Sequence, residues 1–141
     1  MSAFVLDCSV TMAWCFEGAA NSYAEAVFGG LGTSRGMVPA IWPLEVANVL
    51  LVGERHRKLS PKESTRFLSV LDKLPITVLE DTSRRAFAAI LALARDQSLS
   101  SYDASYLELA MRESLPLATL DLALRRAASA VGVSLIWVGR G

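Results

Sequence analysis

Residues 99–121 read LSSYDASYLELAMRESLPLATLD, and this stretch decides the fold. Ser100, three residues before Asp103, makes a helix start of the capping-box kind, with Asp where Glu or Gln is usual. Tyr106, Leu107, Ala110 and Met111 then recur at helical spacing. Pro116 ends that helix, and Leu117 to Leu120 is short and apolar enough for a buried strand. Asp121 opens the next helix, LDLALRRAA. The chain therefore passes along a helix and back along a strand, with an aspartate at each junction. In open α/β sheets, ligands bind where strand ends and helix starts meet.

The same alternation extends outward in both directions. AFVL (residues 3–6), stopped by Asp7, predicts a first buried strand, and Ser9 to Phe16 a short helical turn. Asn21 to Leu31 predicts a helix closed by Gly29, Gly30 and Gly32. Met37 and Val38 make a minimal second strand. Pro43 to Arg57 follows as a helix with Pro in its first turn and almost no polar face, which predicts burial in the core or at an interface. Ser60, Pro61 and Glu63 start a helix to about Leu74. Ile76 to Leu79 is a third strand, Thr82 caps an alanine-rich helix ending near Asp96, and Leu135 to Val138 is a last strand. Five strands alternating with helices predict an α/β fold, mostly parallel and covered on both faces.

Composition sets outer bounds. A chain of 141 residues predicts a single domain over 1–141, long enough for a real core. With 52% hydrophobic and 20% charged residues it is not a disordered segment. No apolar run approaches the ~18 residues of a membrane span, and MSAFVLD lacks the basic start of a signal peptide, so a cytoplasmic protein with no membrane association is expected. Cys8 and Cys15 form neither a CxxC pair nor a disulfide framework and read as two reduced, buried thiols. The formal net charge is zero, so any nucleic-acid contact must come from local patches.

The acidic residues sort into two kinds. Asp72, Asp81 and Asp96 lie in polar segments or near helix ends, where solvation accounts for them. Asp7, Asp103 and Asp121 adjoin apolar segments at strand ends or helix starts. Glu45 joins them from the first turn of the most apolar helix, with Asn48 one turn further along the same side. Taken singly, each is as readily a helix cap or a dipole partner. Taken together, adjacent first and fourth strands would bring Asp7, Asp103 and Asp121 to one sheet edge, with Glu45 alongside. Four ionised carboxylates need something positive between them. Mg²⁺ or Mn²⁺ suits an all-oxygen donor set, whereas a single histidine, His56, argues against zinc.

FVLDCSV, WPLEVANVL, SSYDASYLELA and LATLD, in that order, resemble the four signatures of PIN-domain ribonucleases, and more closely those of VapC toxins from VapBC toxin–antitoxin pairs. The resemblance runs over essentially the whole chain. It implies a three-layer α/β/α fold with sheet order 3-2-1-4-5. It implies that Asp7, Glu45, Asp103 and Asp121 are the catalytic acids, hold Mg²⁺ or Mn²⁺, and hydrolyse RNA phosphodiesters. Thr119 matches a supporting hydroxyl position, and Ser9 is a second candidate for that role. A cognate VapB-type antitoxin and a homodimer are the implied partners. Cys8 departs from the small residue expected after the first aspartate, which raises the prospect of an oxidation-sensitive site.

Other features have plainer readings beside the functional ones. Arg84 with Arg85, Arg125 with Arg126, and Arg55 to Lys58 are candidate RNA-backbone contacts or solvated helix faces. Trp14, Trp42 and Trp137 read as packing rather than base-stacking platforms, and Tyr102 as packing or the lining of a substrate groove. A receiver-type signalling domain would need a lysine late in the chain, but the lysines are Lys58, Lys62 and Lys73. A haloacid-dehalogenase-type phosphatase would need its second aspartate where Ser9 stands. The remaining alternative is a non-catalytic PIN-like module that binds RNA or protein.

Overall fold

A computed structural model describes residues 2–136. In chain order these form β1 (Ser2–Leu6), α1 (Cys8–Phe16), a 3-10 turn (Gly18–Ala20), α2 (Ser22–Gly30) and β2 (Ser34–Pro39). Next come α3 (Trp42–Arg55), α4 (Pro61–Asp72), β3 (Ile76–Leu79) and α5 (Thr82–Arg85). A π-helical stretch (Ala86–Ile90), α6 (Leu91–Gln97), α7 (Ser101–Glu113), β4 (Leu117–Ala118) and α8 (Leu122–Val131) complete the described chain. The strands are parallel, in the order β3-β2-β1-β4, with helices flanking the sheet.

The described sheet thus has four strands where five were expected. Of the fifth, only the first pairing is described: Leu135 bridges Leu117 in parallel, on the edge of β4 away from β1. The Leu117 amide donates to the Ser134 carbonyl at 2.9 Å, and the Ile136 amide to the Leu117 carbonyl at 3.0 Å. Trp137 and Val138 lie outside the described residues. β2 is longer than its sequence predicts, because Ser34, Arg35 and Gly36 gain ladder partners in β1, and β2 also pairs with β3 along Gly36 to Pro39. Paired backbone groups outweigh the poor strand preference of those three residues.

β1 is central, and its Phe4, Val5 and Leu6 are fully buried. A parallel strand covered on both faces has no solvent side, so its apolar residues run consecutively instead of alternating. α7 packs on β1, β2, β4, α6 and α8, and every residue from Ala104 to Ala110 is buried. Of the two expectations for α3, burial in the core holds for one face only. The helix buries Trp42, Val46, Leu50 and Gly53, but Leu44 is 67% exposed and Leu51 and Val52 are also open. A helix with a strongly apolar sequence thus keeps one face at the surface, while the visibly polar α7 is enclosed along its middle turns.

Helix ends follow local chemistry in most places. Ser60 and Glu63 form a complete capping box at the start of α4, with bonds of 3.1 and 2.8 Å. α7 stops at Ser114 in the left-handed region (φ 54°), two residues before the Pro116 that announces the stop. The alanine-rich helix is interrupted by the π stretch, and Thr82 does not cap it. The Thr82 hydroxyl instead accepts from the Ala40 amide at 2.9 Å, tying the end of β2 to α5. Among the described residues no helix is long and apolar enough to cross a membrane.

Candidate active site

The carboxyl ends of β1 and β4 lie side by side, with Leu6 opposite Ala118, and this register brings Asp7 next to Thr119. Asp7 is 3% exposed, and its Oδ2 receives two hydroxyl hydrogen bonds, from Ser9 at 2.6 Å and from Thr119 at 2.7 Å. Each hydroxyl has one proton, given to Asp7, and each accepts in turn from a main-chain amide. Leu120 donates to Ser9 Oγ at 3.0 Å, and Asp121 to Thr119 Oγ1 at 3.0 Å. Two amide-to-hydroxyl-to-carboxylate relays therefore fix Asp7 to the loop that carries Asp121. Burial pushes the Asp7 carboxyl above its ordinary range, the Ser9 and Thr119 bonds and the Ser9 amide pull against that, and the Asp121 charge adds to it. Although Asp7 precedes α1, its side chain makes no N-cap hydrogen bond of good geometry, and the Ser9 amide acts on it only as a nearby dipole.

The other acids arrive from helix starts. Asp103 sits in the first turn of α7, where its amide donates to the capping Ser100 hydroxyl at 3.0 Å. The reciprocal half of a capping box is not formed. Its half-buried carboxyl is raised to about 6 by burial, then by the charges of Asp7 and Asp121, with Glu45 adding a smaller push. Glu45, in the first turn of α3, accepts a hydrogen bond at Oε1 from the buried Tyr106 hydroxyl. Burial raises the Glu45 carboxyl, the Tyr106 bond opposes this, and the Asp7 charge reinforces it. Asp121 does cap α8, its Oδ1 accepting from the Ala123 amide at 3.1 Å. For Asp121 the cap and the site are the same arrangement.

These shifts place Asp7, Glu45, Asp103 and Asp121 within one electrostatic neighbourhood, rich in negative charge and oxygen. Among the described residues no three His, Cys, Asp or Glu side chains close into a ready-made metal cage. The donors gathered there are carboxylate oxygens, the chemistry of hard divalent cations.

The surroundings alter several sequence expectations. Cys8 is buried beside the acids, and burial, Glu45 and Asp7 push its thiol up to about 12. The thiolate is the oxidisable form, so burial of Cys8 works against the oxidation sensitivity that its position suggests. Cys15 is free but only half-buried. Asp81 is not simply solvated: it pairs with Arg112 at 3.1 Å and Arg85 at 3.6 Å, and both arginines also meet the buried Glu108. Arg85 is thereby committed, while Arg84 and Arg126 stay exposed. Arg55 to Lys58 are exposed but lie at the far end of α3, ten or more residues and so about 15 Å from Glu45. Trp14 donates to the Ala24 carbonyl and Trp42 to Thr11 Oγ1, both inside the fold. Tyr102 is 58% exposed and, with Ile41, Leu44, Glu45 and Asn48, lines a concavity of about 490 Å³ that opens beside the acids. Sequence reading missed Tyr106 and the inward turn of Arg125. The only signal for Tyr106 was its position one helical turn after Asp103.

The sequence profile of the PIN domain matches residues 4–130, and the chain belongs to that family, whose members are generally nucleases. No curated protein matches the chain. Solved structures do. VapBC2 from Rickettsia felis, bound to a DNA fragment from its promoter, superposes with a TM-score of 0.64 at 11% identity, over 94% of this chain and 96% of that one. FitAcB from Neisseria gonorrhoeae gives 0.61 at 19% identity, over 94% and 95%. A toxin–antitoxin complex from Klebsiella pneumoniae gives 0.56 at 17% identity, over 84% and 86%. At these identities the likeness establishes a shared fold.

Proposed function

We propose that this PIN-domain chain is a Mg²⁺- or Mn²⁺-dependent ribonuclease toxin of the VapC type, held inactive in the cytoplasm by a cognate VapB-type antitoxin. The observation that carries the reading is the convergence of Asp7, Glu45, Asp103 and Asp121 at one sheet edge, where Asp7 is buried and joined through Thr119 to the Asp121 amide and where the carboxyls of Asp7, Glu45 and Asp103 are all raised. A protein gains nothing in stability by crowding like charges. Their retention at one sheet edge is explained by a cationic ligand.

Asp7, Asp103 and Asp121 would hold the ion, and Glu45 either joins them or orients the attacking water. When bound, the ion supplies positive charge that polarises water and phosphate oxygens. Hydrolysis joins one water oxygen to phosphorus and breaks a phosphorus–oxygen bond to the neighbouring sugar. Tyr106 occupies Oε1 of Glu45, so where Glu45 orients the water its Oε2 would receive the proton of that water, and the departing sugar oxygen would take a proton from solvent. The hydroxyls of Ser9 and Thr119 keep Asp7 from turning away as the charge around it changes.

The antitoxin assignment is supported by the toxin–antitoxin complexes among the structural relatives. A homodimer is supported by α3, where Leu44, Ala47, Asn48 and Leu51 form an exposed, largely apolar stripe at helical spacing. The absence of a closed three-acid cage among the described residues favours a second reading, a non-catalytic PIN-like module that binds RNA or protein.

Cleavage of total RNA by the purified, antitoxin-free chain separates the two. With Mg²⁺ or Mn²⁺ we expect discrete fragments that disappear with chelator and in Asp103→Asn. If neither protein cuts and neither binds Mn²⁺ in a titration, the binding module is the correct reading.

A further inference from the structure

Arg125 lies one turn into α8, beyond Asp121, where sequence alone reads it as half of an exposed Arg125–Arg126 pair. It is turned inward. Its Nε donates to the main-chain carbonyl of Thr119 at 2.8 Å, and its guanidinium sits 4.8 Å from the centre of the Tyr23 ring. Tyr23, on α2, is itself anchored through its hydroxyl, which donates to the Ile136 carbonyl at 2.9 Å. Thr119 follows the last residue of β4, beyond the paired ladder, so the side chain of Arg125 supplies a partner for its carbonyl. The same threonine carries the hydroxyl that joins Asp7 Oδ2 to the Asp121 amide.

We infer that Arg125, seated on Tyr23, is a positioning residue for the acid site: it fixes the Thr119 peptide, and through it the placement of Asp7 relative to Asp121. A planar guanidinium stacked on an aromatic face and bonded through Nε is preorganised in a way that a solvated arginine is not. It is also poorly placed to serve as a mobile phosphate contact. The structural half of this inference stands alone, and only its consequence for turnover rests on the nuclease reading above.

Arg125→Met keeps an unbranched stem over Tyr23 and removes the donor, while Tyr23→Leu keeps the donor and removes its seat. In amide hydrogen exchange, Arg125→Met should speed exchange of the Asp121 amide by about tenfold, with Tyr23→Leu changing it less and Arg125→Lys restoring part of the protection. In RNA cleavage the kcat of Arg125→Met should fall on the order of tenfold or more with KM unchanged, as misplacement of reacting groups predicts. A phosphate contact would instead raise KM and lower the salt dependence of RNA binding, leaving kcat alone. That pattern, or unaltered exchange at Asp121 in the Met and Leu variants alike, overturns the inference. Faster exchange in a chain that cuts no RNA keeps the positioning role and removes the nuclease reading.

Discussion

Asp103 shows how one carboxylate can be costly to a fold that places other carboxylates beside it. Its folded value of about 6 lies above the usual 3.8, so between those values the folded chain holds more proton than the unfolded chain. The contribution of this group to stability is therefore greatest at and below pH 4, declines as pH rises towards 6, and is lowest above it. Asp7 and Glu45, also raised, act with the same sign. Calorimetry without metal should find Asp103→Asn more stable than the parent at pH 7.5, with the gap closing towards pH 4. Mn²⁺ should raise the melting temperature of the parent at pH 7.5 more than that of the variant. A destabilised Asp103→Asn would show that the carboxylate is structural. Thr119→Val tests the neighbouring relay: loss of a hydroxyl that serves the buried Asp7 should cost about 1–3 kcal/mol at neutral pH and less in acid. Asp7, Asp103 and Asp121 were legible as residues because polar side chains beside apolar segments are conspicuous, and Glu45 because it stands in the first turn of an apolar helix. Tyr106 and Arg125 were not, since a tyrosine on an apolar helix face and an arginine in a basic pair have commoner roles than serving Glu45 and Thr119.

At the scale of elements, close packing decides what a sequence pattern cannot. Gly53 lies near the end of α3, and a Cβ there would stand 2.5 Å from Leu59 Cδ2 and 3.0 Å from Phe16 Cζ. Alanine would gain up to about 1 kcal/mol of helix propensity but force both side chains to shift, at roughly 1–3 kcal/mol. Net destabilisation of about 1 kcal/mol by Gly53→Ala is expected in denaturant titration, and a more stable variant would mean that Phe16, which is partly exposed, swings away freely. Ser114 is the opposite case. Its φ of 54° suits glycine, so Ser114→Gly should stabilise the end of α7 by roughly 0.5 kcal/mol. Caps of this kind are local and could be read from Ser60, Ser100 and Pro116. The extent of β2 could not, because Ser34 and Arg35 become strand only through pairing with β1, and Gly36 through β1 and β3 together.

For the molecule as a whole, the open face of α3 is the feature with the widest consequence. Sedimentation at micromolar concentration should find a dimer, and Leu44→Glu with Leu51→Glu should return it to monomer without loss of fold, since both side chains are exposed in the single chain. A parent chain that is monomeric under those conditions removes the dimer. By itself the sequence determined the alternation of strands and helices, the parallel sheet and the four acids, because periodicity, caps and apolar runs are properties of neighbouring residues. Tertiary structure alone decided which helix is enclosed, which cation turns inward and how the acids share their field. Those outcomes depend on groups far apart in the chain, as when the register of β1 on β4 brings Asp7 to Thr119 across 112 positions.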